Sequence, residues 1–303
     1  MGMAESLPPP ELAELAESWE ISLSAANKSP TTISSYLRGV NLYLRWCKEG
    51  GHPQQLTRAQ VQRYMAELTV AGKEANTVRL RQASLRAFAK WLVEEREIPE
   101  DPLVGLKPPK LPTKVVTGLT DDQLRDLIKA CKGPSFRDKR DEALVRLLSE
   151  TGLRASECIA LTLADVDLKR GLVTVQRGNG AKGRVAPFSP QAAAALDRYL
   201  RARRSHKHAS TPAFWLGSHG KGFAYFGLND TLRDRAKTAG IQDFHLHLFR
   251  HTAATRWLRA GGSEGGLMSV AGWTNRTMLD RYVGASAAER AATEARGLNL
   301  GDL

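Results

Sequence analysis

Apolar residues return at intervals of three and four along the first third of the chain, the period of helices with one buried face. A first helix is expected from Glu11 to Ala26. A second follows, capped by Ser29 or Thr31, with Ile33, Leu37, Val40 and Leu44 on its inner side. Thr57 and Gln60 have the spacing of a capping box and open a third helix, LTRAQVQRYMAEL. The fourth runs from about Asn76 to Glu95 and buries Val78, Leu85, Phe88 and Leu92. The period then lapses. Residues 99–117, PEDPLVGLKPPKLPTKVVT, hold five prolines and are expected to form an extended, semi-stiff linker.

Beyond it a second pattern begins. Thr120 and Gln123 form another capping box, before the apolar set Leu124, Leu127, Ile128 and Cys131. A helix from about Lys139 to Glu150 is expected to stop at Gly152, which suits a left-handed C-cap. Arg154 then heads a short helix. LVTVQ (172–176) alternates and is rich in β-branched residues, GNGAKG has turn chemistry, and RVAPF resumes an extended run, so a β-hairpin is predicted. Ser189 and Pro190 start a helix through about Arg204, whereas FWLGSHGKGFAYF reads as an aromatic loop. The chain is therefore mainly α in two domains: four helices at 11–98, then a mixed α+β domain at 118–284 with a small antiparallel sheet. Residues 1–10 are expected to be a flexible start. Residues 285–303 are expected to form a C-terminal helix opened by Ser286 and Glu289 and a tail with the apolar Leu298, Leu300 and Leu303.

Composition narrows the class. In 303 residues, 42% hydrophobic and 25% charged content is that of a water-soluble globular chain. The net charge of +12 makes a polyanion the expected partner. That charge is unevenly placed: 1–26 carry five acids and no Lys or Arg, whereas 27–96 carry twelve basic residues against five acids. Arg79, Arg86 and Lys90 form a stripe along the fourth helix suited to phosphate contact. Cys47, Cys131 and Cys158 are scattered and lack metal-ligand spacing, as expected of buried free thiols in a reducing cytoplasm. No apolar run approaches a membrane span, no export signal opens the chain, and no Walker-type phosphate loop is present.

The chemistry concentrates between His247 and Tyr282. His247 and Arg250, three apart on a helix, share a face and can point at one phosphate. Tyr282 looks exposed, on an arginine-flanked turn nine residues after Trp273. A phenol is a weak nucleophile and needs neighbouring cations or a base. Arg154 and Lys182 lie upstream as further cations. His245, His247 and His251 do not make a zinc site, because His245 and His247 fall on different helical faces and no acidic or cysteine partner lies nearby. No metal or other cofactor is expected.

TGLRASE (151–157), Lys182 in the hairpin, HLFRH (247–251), AGW (271–273) and Tyr282 occur in an order and spacing that resembles the tyrosine recombinases of the phage-integrase family. The resemblance spans nearly the whole chain, because the N-terminal helices are similar to the family's core-binding DNA domain. It implies a phosphotyrosine intermediate on double-stranded DNA, with Tyr282 as nucleophile. Arg154 and Arg250 are then assigned to the nonbridging phosphate oxygens, where planar guanidinium groups meet developing charge. Lys182, glycine-flanked as the family pattern requires, is expected to protonate the departing 5′-oxygen. Lys169 and Arg177 lie near it but not in that position. His247 serves in proton transfer or phosphate binding, and Glu157 and His251 support the set. Trp273 stands where a histidine is commoner; its indole N–H can donate to a phosphate but cannot shuttle a proton.

The resemblance further implies a homotetramer on DNA that exchanges strands through a four-way junction, with accessory directionality or bending proteins as possible partners. With its first helix near residue 11, the chain is expected to be a compact type without an arm-binding domain, acting in a bacterial cytoplasm or a phage-infected host. Three other readings stay open: a dimer resolvase of the same chemistry, a nicking-and-resealing topoisomerase, and a catalytically silent DNA-binding protein. The tail is expected to dock on a neighbouring protomer.

Overall fold

Four helices build the first unit: α1 (Leu12–Ala25), α2 (Pro30–Glu49), α3 (Arg58–Val70) and α4 (Ala75–Glu94). The computed structural model describes residues 11–110, 118–176, 183–217, 223–280, 282–283 and 295. Met1–Thr113 and Lys114–Leu303 are separate compact units. In the first, Trp19 of α1 is sandwiched between Tyr36 of α2 and Phe88 of α4, at 5.6 and 5.1 Å between ring centroids. Val40, Tyr43, Val61, Leu85 and Leu92 complete this core. Ser29 accepts from the Thr32 amide and so caps α2.

Two local details depart from the sequence reading. At α3, Thr57 accepts from the Gln60 amide, but the Gln60 side chain turns away to Pro53 O (2.6 Å) and Cys47 Sγ (3.2 Å). Only half of the expected capping box therefore forms. The segment from 99 is also not linker throughout. Leu103 and Leu106 are buried in the first core, and the Gln82 amide donates to Leu106 O and Lys107 O at 3.2 Å each. Two leucines with a core within reach fold back against it. Residues 111–117 lie outside the described residues.

In the second unit α5 (Asp121–Ala130) starts from the Thr120–Gln123 capping box. Next comes α6 (Phe136–Thr151), which begins a turn earlier than expected because Ser135 and Asp138 cap it reciprocally. It ends where Gly152 takes a positive φ of 59°. Leu144, Leu147 and Leu148 of α6 are buried with Leu196 and Tyr199 of α8 (Pro190–Arg203) and Phe249 of α10 (His247–Arg259), so α6 is the axis of the domain. Between α6 and α8 run α7 (Ala155–Ile159) and a three-stranded antiparallel sheet in the order β1-β2-β3. The predicted hairpin is β2 (Leu172–Val175) with β3 (Arg184–Pro187), in a register that sets Val175 opposite Arg184. The two-residue strand β1 (Val166–Asp167) joins its edge and was not anticipated. The hairpin turn, 177–182, lies outside the described residues.

A further helix, α9 (Tyr225–Thr238), also escaped the sequence reading. Arg235 fixes it in place, pairing with Asp138 (2.7 Å) and Asp141 (2.9 Å) of α6 and donating to Ala130 O. The helix α11 (Glu264–Ala271) closes at Gly272, again with positive φ. Beyond it residues 277–280 and 282–283 are helical, where the sequence context of Tyr282 suggested a turn. All three cysteines are buried and free. Among the described residues no helix is long and apolar enough to cross a membrane.

Candidate active site

The site begins at the end of α6. Gly152 reverses the chain so that Arg154 becomes the N-cap residue of α7. Glu157, three residues on, accepts from the Arg154 amide (2.8 Å) and from its guanidinium (2.7 Å). Backbone and side chain of Arg154 are thus held by one carboxylate, while the side chain stays 45% exposed. Burial alone would raise the Glu157 carboxyl, but hydrogen bonds from Arg184 and Arg154 outweigh it and hold the carboxyl down at about 2.

Arg250 comes from the first turn of α10 and is buried. It donates to Gly152 O at 2.9 Å and to Ala271 O at 2.7 Å, joining the ends of α6 and α11. Its guanidinium carbon lies 5.2 Å from the Trp273 ring centre, within cation–π range. Burial, with the nearby charge of Arg154 second, pushes its pKa down to about 10. At neutral pH it therefore remains a cation.

Trp273 stacks in turn on Tyr282, centroids 5.2 Å apart and planes 13° from parallel. The Tyr282 hydroxyl lies 2.6 Å from His251 Nδ1. His251 meets His247 edge-to-face at 4.5 Å, and His247 is exposed. Tyr282 does not sit on the surface as its sequence context suggested. It is 4% exposed and packs in a small cluster with Leu258, Leu267, Trp273 and Leu279. An aromatic ring beside another gains more by stacking than by projecting into water. The buried Trp273 indole N–H has no hydrogen-bond partner among the described residues.

Arg154, Glu157, His247, Arg250, His251, Trp273 and Tyr282 therefore belong to one run of side chains in the second unit. Lys182 lies outside the described residues. Arg79, Arg86 and Lys90 belong to the first unit, where all three are exposed on α4 and Lys90 pairs with Glu94 at 3.4 Å. Among the described residues no group of three or more His, Cys, Asp or Glu is placed to hold a metal ion. One residue escaped the sequence reading. Arg184, on β3, is buried and grips Glu157 with both terminal nitrogens at 2.9 and 2.6 Å. The signal was there: strand alternation puts it on the same inward face as Ala186, and an inward cation requires a buried partner.

Residues 118–289 match the family model for the phage integrase family, and residues 16–96 match that for its N-terminal SAM-like domain. The chain belongs to the phage integrase family. It is a tyrosine recombinase, an enzyme of DNA strand exchange. Tyrosine recombinase XerC of Chromobacterium violaceum is 31% identical over 261 residues, covering 86% of this chain and 86% of that protein. The crystal structure of the XerA recombinase aligns with 94% of this chain and 99% of its own, at 26% identity and a TM-score of 0.55. The lambda integrase tetramer bound to a Holliday junction shares the fold over 91% of this chain and 78% of its own, with a TM-score of 0.70 at 14% identity.

Proposed function

We propose that this phage-integrase family member is a site-specific recombinase that cuts and rejoins double-stranded DNA through Tyr282. The observation that carries this is the Tyr282 hydroxyl, 2.6 Å from a histidine nitrogen, beside a tryptophan that contacts a buried arginine. Arg154 and Arg250 bind the nonbridging oxygens of the scissile phosphate, and the unsatisfied Trp273 N–H suits a third donor there. The phenol proton passes to His251 Nδ1 and the oxygen attacks phosphorus. The phosphorus–5′-oxygen bond breaks, and Lys182 protonates the departing oxygen. A 3′-phosphotyrosine ester keeps the bond energy for religation, so no nucleotide cofactor is needed. Because Tyr282 starts from a buried position, attack requires its ring to turn out of the stack with Trp273.

Four protomers would hold two sites and exchange strands through a Holliday junction, the state in which the lambda integrase tetramer was solved. Exposed Arg79, Arg86 and Lys90 track the DNA backbone. The work is done on cytoplasmic DNA. Dimer resolution, in place of integration, is the second reading, since it would use the same strand-exchange chemistry.

The test is covalent trapping on nicked DNA sites recovered from genomic pull-down. Wild-type protein should give denaturation-resistant adducts mapping to Tyr282, and Tyr282→Phe should give none while its DNA affinity stays within about twofold, since one hydroxyl adds little beside many phosphate contacts. Adducts that persist in the variant, or map to Tyr199 or Tyr225, would refute the assignment.

A further inference from the structure

Glu157 stands 2.7 Å from a guanidinium that the proposed mechanism needs for DNA. A lone carboxylate there would compete with phosphate for Arg154, because the two anions present the same geometry to the same fork. The structure resolves the conflict through Arg184. The two Glu157 oxygens accept four hydrogen bonds, two from Arg184 and two from Arg154, which fill the lone-pair sites of a carboxylate. Arg184 is charge-matched to Glu157 and its side chain is 7% exposed, so little water screens the pair. Glu157 takes one N–H of the Arg154 side chain, and that side chain stays exposed.

The same guanidinium reaches a second part of the site. Arg184 Nε donates to Val270 O at 2.9 Å, near the end of α11. Gly272, which leads into Trp273, passes so close that a β-carbon there would lie 2.8 Å from Arg184 Cδ. Arg184 also stands two residues from Lys182 along the chain. One buried side chain thus links the strand after the hairpin turn, the Arg154 turn and the approach to Trp273.

We infer that Arg184 is a positioning residue for strand cleavage: it neutralises Glu157, so that the carboxylate orients Arg154 without withdrawing its charge from the scissile phosphate. This rests on the reading of Arg154 as a phosphate ligand. Loss of Arg184 leaves Glu157 to pair with Arg154 alone, and the site loses one positive charge. The defect then belongs to the charge on the phosphate, whereas a packing defect would not depend on it.

Single-turnover cleavage is measured on two DNA substrates, one with a normal scissile phosphate and one with an uncharged methylphosphonate at that position. With Arg184→Gln, cleavage of normal DNA should fall about 100-fold, the scale of one lost transition-state donor, while the methylphosphonate loss stays below about fivefold. Half-site affinity should be unchanged, because Arg184 is buried. Equal loss on both substrates, or affinity falling in step with rate, would overturn the inference. If Arg184→Gln does not fold, Arg184→Lys decides: it keeps the charge but loses the fork. It should lose several-fold on phosphate and nothing on methylphosphonate, and equal losses again overturn the proposal. Arg154→Ala is the control. If its defect does not shrink on methylphosphonate, the reading of Arg154 fails; if it shrinks while that of the Arg184 variants does not, the inference about Arg184 alone fails.

Discussion

The Glu157 carboxylate should make the second unit measurably sensitive to acid, by an amount that follows from its surroundings. Its pKa is held at about 2, against an ordinary value of 4.5, by hydrogen bonds that overcome the opposing effect of burial. A carboxyl depressed on folding stabilises the protein above its unfolded pKa and loses that contribution as pH falls toward the folded value. At about 1.4 kcal/mol per pH unit of difference, the ionised carboxylate contributes about 3 kcal/mol near neutrality. About 1.4 kcal/mol of that is lost by about pH 3.5, and nearly all of it below about pH 2. Glu157→Gln removes the titrating group and leaves Arg184 buried with a neutral partner. It should therefore be destabilised by about 3 kcal/mol near pH 6, a cost of the size expected when a buried ion pair loses one member. The gap from wild type should narrow by about 1.4 kcal/mol at about pH 3.5. Denaturant-dependent hydrogen exchange on peptides spanning 143–160 reads the second unit alone, and the difference between the two proteins cancels the other carboxylates. A gap that stays constant over this range would refute the electrostatic account of Glu157, and a gap that widens on acidification would reverse its sign.

Replacing Lys182 with Ala should slow cleavage of ordinary DNA by about 10²–10⁴-fold, as for a lost general acid; a substrate with sulfur at the bridging 5′-position, whose leaving group needs no proton, should restore the rate. Gly272→Ala should cost roughly 1–3 kcal/mol in thermal or denaturant unfolding, since the residue has φ of 65° and its β-carbon would press on Arg184 Cδ. A chain ended at Gly284 should fill one half-site normally in gel-shift titrations but lose cooperative filling of the second, if the apolar tail docks on a neighbouring protomer; unchanged cooperativity would show the tail to be dispensable.

What the sequence determined by itself was local. Ser29, Thr120 and Ser189 cap their helices by accepting amides three residues away, and Gly152 turns the chain within its own neighbourhood, so each signal and its partner sit in one short window. The helical period and strand alternation likewise gave four N-terminal helices and the hairpin, because they depend only on which face meets a core. The family motifs named most of the site for the same reason: they are short strings in fixed order. Tertiary structure decided what depended on distant partners. Arg184 meets Glu157 across 27 residues of chain, and α9 is held by Asp138 and Asp141 of α6, almost a hundred residues upstream. Leu103 and Leu106 belong to a core that the first unit brings within reach, and α4 supplies Gln82 to hold the backbone at Leu106 and Lys107, although a proline-rich string reads as linker. Tyr282 is the clearest case. Its position in sequence marks a nucleophile, but its burial depends on Trp273 and His251 arriving from two other segments, and contacts of that range leave no periodic trace in the chain.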